Sequence, residues 1–252
     1  AAMSDSKTEE PHAVVRQLFE KESWTYTYIV GCPTTKKCCL IDPVNLTWER
    51  DLAVVDKMGY KLEYCLNTHV HADHITGSGL IKKARKEVKS VIAEASGAKA
   101  DIKLKDKAEI KVGNVTIAVR ATPGHTPGCV TYVIGGAKPT AAFCGDTLLI
   151  NGCGRTDFQG GDPAMLYDSC HRQLFTLPDT CLLYPAHDYN GLTVTTVGEE
   201  KKHNPRLTKT KEEFVALMKR RFDGSNYPKK LDASLPANMG CGFPLPAEKK
   251  AN

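Results

Sequence analysis

Three histidines and an aspartate fall within six residues, His69-Val70-His71-Ala72-Asp73-His74, and no other stretch constrains this chain as much. Imidazole and carboxylate are favoured ligands of divalent transition metals. An apolar-rich run, Tyr64-Cys65-Leu66, precedes the cluster, and Ile75-Thr76-Gly77-Ser78-Gly79 follows it. The order reads as strand, loop and helix, with the ligand-type side chains in the loop. His69 and His71 lie two apart, so an extended backbone points both rings to one side. Both can then approach one ion. Asp73 and His74 lie just beyond, within reach of a second ion or of the groups that orient the first. Nothing in the physics of a solvated loop concentrates three of a chain's eight histidines in this way. The stretch reads as a metal site.

Other ligand-type residues stand at similar places. His125, Asp146 and His187 each follow a predicted apolar strand, at 115–120, 141–144 and 181–184. Pro and Gly shape two of these ends, Thr122-Pro123-Gly124-His125 and Pro185-Ala186-His187. Four strand ends therefore bring ligands to one rim, which is where open sheets place their sites. Further strands are predicted at 24–30, where Trp24, Tyr26, Tyr28 and Val30 alternate, and at 38–41, 61–67, 91–93 and 130–134. Residues 103–111 are charged and read as loop or edge. Helices are expected from Thr47 to about Met58, and from Ser78 with Leu80, Ile81, Ala84 and Val88 on one face. A third follows Asp162-Pro163 to about Phe175, and a fourth follows Thr210, which makes a capping box with Glu213. The strand-rich stretches, 24–93 and 112–187, predict two packed sheets with helices outside. Residues 1–12 read as a flexible N-terminus. Residues 13–252 read as one domain, ending in a Pro- and Gly-rich tail.

Bulk properties exclude several classes. The 252 residues, 41% hydrophobic, suffice for one large core. The formal charge of +5 comes from short, scattered Lys and Arg clusters without interleaved aromatics, so no nucleic-acid partner is expected. No apolar run approaches the ~20 residues of a membrane span, and no membrane association is expected. No secretory apolar segment stands near the start, and a removed leader would leave no trace. The ten cysteines form no C-x-x-C pair, and several lie inside apolar runs. They read as reduced thiols in a reducing compartment, not as a disulfide framework or a cysteine zinc site.

H-x-H-x-D-H, then Gly124-His125, Gly145-Asp146 and Pro185-Ala186-His187, in this order, resemble the metallo-β-lactamase fold. That fold is an α/β (α+β) four-layer αββα sandwich of two mixed β-sheets flanked by helices. Longer strings resemble the persulfide dioxygenases, the glutathione-dependent sulfur dioxygenases of mitochondria and bacteria. They are Thr122-Pro-Gly-His-Thr-Pro-Gly-Cys129, Gly152-Cys-Gly-Arg-Thr-Asp-Phe158, Tyr184-Pro-Ala-His-Asp-Tyr189, His203-Asn-Pro-Arg-Leu207 and Pro236-Ala-Asn-Met239 followed by Cys241. The resemblance spans nearly the whole chain.

The resemblance implies one Fe(II) per chain, held by His69, His125 and Asp146. Two imidazoles and a carboxylate make the facial triad of non-haem iron oxygenases, which leaves positions open. His71, Asp73, His74 and His187 would then orient ligands and hold water. Glutathione persulfide and O2 are the implied substrates, and sulfite and glutathione the products, in hydrogen sulfide catabolism. Arg155, Tyr189 and Cys241 are the implied substrate contacts, Arg155 through a bidentate grip on a carboxylate. Plainer alternatives stand beside them: an ion pair of Arg155 with Asp157 or Asp162, rim packing of Tyr189, and an inert thiol at Cys241. A homodimer is implied, as is a mitochondrial matrix location behind a transit peptide that this chain does not show, or a bacterial cytoplasm. The alternative is a glyoxalase II-type dinuclear hydroxyacylglutathione hydrolase, which shares the first motif. Against it stand Ile75-Thr76-Gly77 in place of paired glycines, Thr156-Asp157-Phe158 after the basic residue, and a tail poor in helical pattern.

Overall fold

The computed structural model describes residues 12–243. The proposed flexible N-terminus, apart from His12, lies outside the described residues.

Strand β2 shows how the layers arise. Every residue of Thr25–Gly31 is buried. Tyr26, Tyr28 and Val30 enter one apolar cluster, and Ile29 enters another. A strand buried on both faces needs a layer on each side. The first sheet runs, in space as in sequence, through β1 (Val14–Glu20), β2, β3 (Lys37–Ile41), β4 (Lys61–Leu66), β5 (Lys89–Ala93) and β6 (Ile102–Leu104). It is antiparallel from β1 to β3 and parallel from β3 to β6. The second sheet contains β7 (Glu109–Val112), β8 (Val115–Ala121), β9 (Val130–Ile134), β10 (Ala141–Gly145), β11 (Leu182–Pro185) and β12 (Thr195–Thr196), in the order β12-β11-β10-β9-β8-β7. Only β10 and β11 pair in parallel there.

The two sheets pack through Tyr28, Ile41, Leu66 and Val91 from the first and Ile117, Val119, Tyr132 and Phe143 from the second. Each fully buried side chain of this kind contributes roughly 1.5–3 kcal/mol. Outside the first sheet lie α1 (Trp48–Lys57) and α2 (Ser78–Ala84), whose Leu52, Val55 and Ile81 cover Ile29, Leu40 and Leu62. Outside the second lie α3 (Pro163–Ser169) and α5 (Lys211–Arg221), with Leu166, Phe214 and Met218 over Val133, Ala142 and Leu183. Two further α-helices are α4 (Val197–His203) and α6 (Leu231–Asn238). This is the αββα sandwich expected from the sequence.

Several local expectations are corrected. Ser78 does not cap α2, because Gly77 holds that position and the Ser78 hydroxyl bonds Asn67 and Thr76 instead. The helix stops at Ala84, so Val88 is not on its face. The helix after Asp162 begins as expected, with the Asp162 side chain accepting from Met165 N, but it becomes a wider π turn over Cys170–Leu174. The charged stretch 103–111, read as loop or edge, does contribute to two edge strands, β6 and β7, as the edge reading has it. Strand β1 and helices α4 and α6 were not anticipated. β1 is a half-exposed edge without clean alternation. α6 carries Pro236 in its interior, which hides its helical character from propensity.

Candidate metal centre

The histidine loop begins where β4 ends and is pinned from the neighbouring strand. Asp42 follows β3 in a left-handed conformation (φ 50°). Its carboxylate accepts from Thr68 N at 2.7 Å and Thr68 Oγ1 at 2.8 Å, and it pairs with His71 Nε2 at 3.0 Å. Thr68 Oγ1 also lies 2.9 Å from His69 Nδ1. The far side of the loop is held by α6. Asn238 Nδ2 donates to the carbonyls of His71 and His74, each at 2.8 Å, and its Oδ1 accepts from Thr76 N at 2.9 Å. Ser234 Oγ donates to the Ala72 carbonyl at 2.7 Å. Sequence reasoning missed Asp42, Ser234 and Asn238 as supports. Asp42-Pro43 at a strand end and Asn238 within Pro236-Ala-Asn-Met239 were the available signals.

Two clusters result. One ligand atom from each of His69, His125 and Asp146 lies within 4.8 Å of the others. His125 Nδ1 donates to the Arg155 carbonyl at 2.7 Å, which leaves the Nε2 lone pair free for a metal. That Nε2 is 3.6 Å from Asp146 Oδ2. The other carboxylate oxygen, Asp146 Oδ1, is buried without a hydrogen-bond partner. An unpaired buried acceptor costs about 1–3 kcal/mol, and a cation would relieve it. Burial, together with the nearby His71 and His125, holds the His69 imidazole well below its ordinary range and therefore neutral, as a ligand must be. Gly154 is required here, because a Cβ would lie 2.3 Å from the Asp146 carbonyl and 3.0 Å from His125 Nδ1. The donor set thus fits a divalent transition metal with positions left over.

The second cluster is His71, Asp73 and His74, again within 4.8 Å. His187 Nε2 stands 3.6 Å from Asp73 Oδ2 and 3.6 Å from Asp146 Oδ1, between the two sets. Here Asp73 Oδ2 already pairs with His74 Nδ1 at 2.8 Å, and Thr25 Oγ1 sits 3.4 Å from Asp73, His74 and His187. His71 Nδ1 and His74 Nε2 are buried without partners.

A cleft of about 500 Å³ opens on Asp73, His125, Asp146 and His187 and is also lined by Arg155 and Tyr189. The Tyr189 ring, 61% exposed, lies nearly parallel to His187, with centroids 6.2 Å apart. The Arg155 fork is engaged by Asp157 at 2.7 and 2.8 Å and by the Asn226 carbonyl at 2.8 Å, which is the ion pair weighed as the plainer alternative. The structure does not bring Cys241 to this cleft. Its thiol is buried with Val70, Ile92 and Ala98, and that burial pushes it up to about 11.

Comparison with known proteins identifies the family. The Metallo-beta-lactamase superfamily model matches residues 25–187. The mitochondrial persulfide dioxygenase ETHE1 of Bos taurus is 51% identical over 92% of this chain and 90% of its own length. Its Homo sapiens counterpart is 49% identical over the same shares. The crystal structure of ETHE1 from Myxococcus xanthus superposes with a TM-score of 0.85 at 45% identity, covering 91% of this chain and 99% of that one. The chain belongs to the persulfide dioxygenase family of the metallo-β-lactamase superfamily. The strings that resemble the persulfide dioxygenases now have places. Asn204 Nδ2 donates to the Gly152 carbonyl at 3.0 Å and Arg206 Nη1 to the Cys153 carbonyl at 2.8 Å, so His203–Leu207 braces the loop whose Arg155 carbonyl sets His125. Asn238 clamps the histidine loop from behind. All ten cysteines are free and buried. No helix among the described residues is long and apolar enough to cross a membrane.

Proposed function

We propose that this chain oxidises glutathione persulfide with O2 and water to sulfite and glutathione, using one Fe(II) held by His69, His125 and Asp146. The observation that carries the reading is the convergence of three ligand atoms, with His125 already set by the Arg155 carbonyl and Asp146 Oδ1 unpartnered. A two-imidazole, one-carboxylate set suits a metal that must also accept substrates, because it leaves positions open. Bound iron supplies the O2-activating redox chemistry. The protein contributes position and environment. Asp42 and Asn238 fix the histidine loop, and the cleft holds the persulfide sulfur beside the ligand set. His187 and Asp73 both line the cleft, which supports a role for them in holding the water that cleaves the oxidised sulfur from glutathione. The names of the relatives support a mitochondrial location, and we extend it to the matrix.

The test is metal content and activity together. Protein from iron-supplied cells is expected to carry about one iron per chain, following from the single open ligand set, and to take up oxygen only with glutathione persulfide. Two metals per chain with hydrolysis of S-D-lactoylglutathione and no oxygen uptake would replace this reading with a glyoxalase II-type hydrolase.

A further inference from the structure

Phe222 follows directly on α5, and three guanidinium groups crowd its ring. Arg206 lies 5.6 Å from the ring centroid, Arg155 5.7 Å and Arg221 5.7 Å. All four residues line the cleft that holds His125 and Asp146. Three positive charges around one ring repel each other, and the ring face offsets only part of that. Among the described residues one carboxylate forms an ion pair with them, Asp157 with Arg155, while Asp223 lines a neighbouring pocket with Arg221 without pairing to it. Arg206 uses Nη1 on the Cys153 carbonyl and sulfur and has no acidic partner. Arg221 makes no ion pair or hydrogen bond among the described residues and lies over the Phe222 ring.

A cation at the end of α5 has an ordinary explanation, because Lys219, Arg220 and Arg221 all favour the negative end of the helix dipole. That accounts for a basic last turn. It does not account for Arg221 lying over Phe222, in the cleft, beside two more guanidinium groups. An unanswered cationic pair next to a metal-ligand set is complementary to a small anion whose reactive end reaches the metal. We propose that Arg221, with Arg206 beside it, receives a carboxylate of the persulfide-bearing substrate and sets a preference for carboxylate-bearing carriers over neutral ones. Arg155 is not that receptor, since its fork is committed to Asp157 and the Asn226 carbonyl. This rests on the persulfide reading above.

The experiment compares two carriers, glutathione persulfide and the persulfide of glutathione diethyl ester, which lacks both carboxylates. Parent, Arg221→Gln, Arg221→Lys and Lys219→Gln are assayed by oxygen uptake. Lys219 lies on the same helix but lines a separate groove, so its variant is expected to match the parent. Arg221→Gln is expected to raise the KM for glutathione persulfide by about tenfold or more, the scale of one charge-assisted hydrogen bond. The change should fall on KM and not on kcat, and the KM difference between the two carriers should collapse. Arg221→Lys should restore part of it. Calorimetric binding of reduced glutathione gives a second reading that needs no turnover, and there Arg221→Gln should weaken Kd by a similar factor. Equal KM for both carriers in the parent, or an Arg221→Gln variant with discrimination and glutathione Kd intact, overturns the proposal. Failure of the activity reading looks different: the parent would bind glutathione, with Arg221 still mattering to Kd, but take up no oxygen with either persulfide.

Discussion

The two histidine clusters share a loop and the same residue types, yet they are bonded differently. In the first, the supporting bonds fall on atoms that a metal does not need: His125 Nδ1 on the Arg155 carbonyl and His69 Nδ1 beside Thr68 Oγ1. The carboxylate oxygen Asp146 Oδ1 is left without a hydrogen-bond partner. In the second, the carboxylate is already answered by its neighbours. Burial alone would raise the Asp73 carboxyl, but His74 and His187 override it and hold it well below its ordinary range. Burial also works to lower His71, and the Asp42 carboxylate at 3.0 Å reverses that. A cation arriving at the second cluster would find His71 Nδ1 and His74 Nε2 free but would have to compete with His74 for the Asp73 carboxylate. The difference teaches that ligand count alone does not make a metal site. What the other atom of each ligand is bonded to matters as much.

The largest expected effect breaks the first cluster. Asp146 is its one anion, so Asp146→Ala should remove the iron and reduce persulfide-dependent oxygen uptake by more than ~100-fold, beyond the scale of supporting-residue loss. Elemental analysis and an oxygen electrode check both. Iron retained at the parent level with full activity would mean that the second cluster, not the first, holds the metal.

Asp42→Asn tests the shared support. Its carboxylate serves both clusters, through Thr68 toward His69 and directly at His71. The variant should lose ~10–100-fold in metal affinity and about 1–3 kcal/mol of stability from groups left unpaired, read by metal titration and denaturant unfolding. A variant with unchanged affinity would confine Asp42 to the second cluster. His187→Ala tests the second cluster alone. It should keep its iron, with activity lowered by no more than ~100-fold. A parent with two metals, falling to one in this variant with loss of thioester hydrolysis, would make the clusters equivalent and the chain a hydrolase.

The first cluster was more legible in the sequence than what surrounds it. His69, His125 and Asp146 stand just past apolar runs that became β4, β8 and β10, and a strand end fixes a residue's place in space almost by itself. The two sheets followed from the same runs. The supports were less legible because their partners are remote in sequence. Asn238 bonds carbonyls more than 160 residues away, and no local period marks such a residue. Helix α6 hid behind Pro236, and β1 behind an edge strand's half-exposure. For Arg155 the resemblance implies a substrate contact, with an ion pair to Asp157 or Asp162 as the alternative. Its carboxylate partner, Asp157, stands two residues on, and that short-range pairing takes up the fork.

The smallest expected effect probes how firmly the first cluster is braced. Arg155 holds His125 through its carbonyl, and Asp157 holds Arg155 through its fork. Asp157 also accepts from Gly224 N at 3.0 Å, tying the same loop to the end of α5. Asp157→Asn weakens the fork but leaves the carbonyl in place. Iron affinity should therefore fall by less than about tenfold, below the usual range for a direct support. The pH dependence carries a sign of its own. Hydrogen bonds from Arg155 hold the Asp157 carboxyl below its ordinary 3.8. A carboxyl lowered by folding stabilises the fold above its unfolded value, and that stability is lost as pH falls through the folded value. The stability gap between parent and variant should be constant, at about 1 kcal/mol, from pH 7 down to about 5, and should narrow as the pH falls below 3.8 toward the folded value. Denaturant unfolding across the acidic range measures it. A gap that does not narrow at all below 3.8, or an iron affinity that falls as far as in Asp42→Asn, would show that the brace acts on the first cluster by a route other than this ion pair.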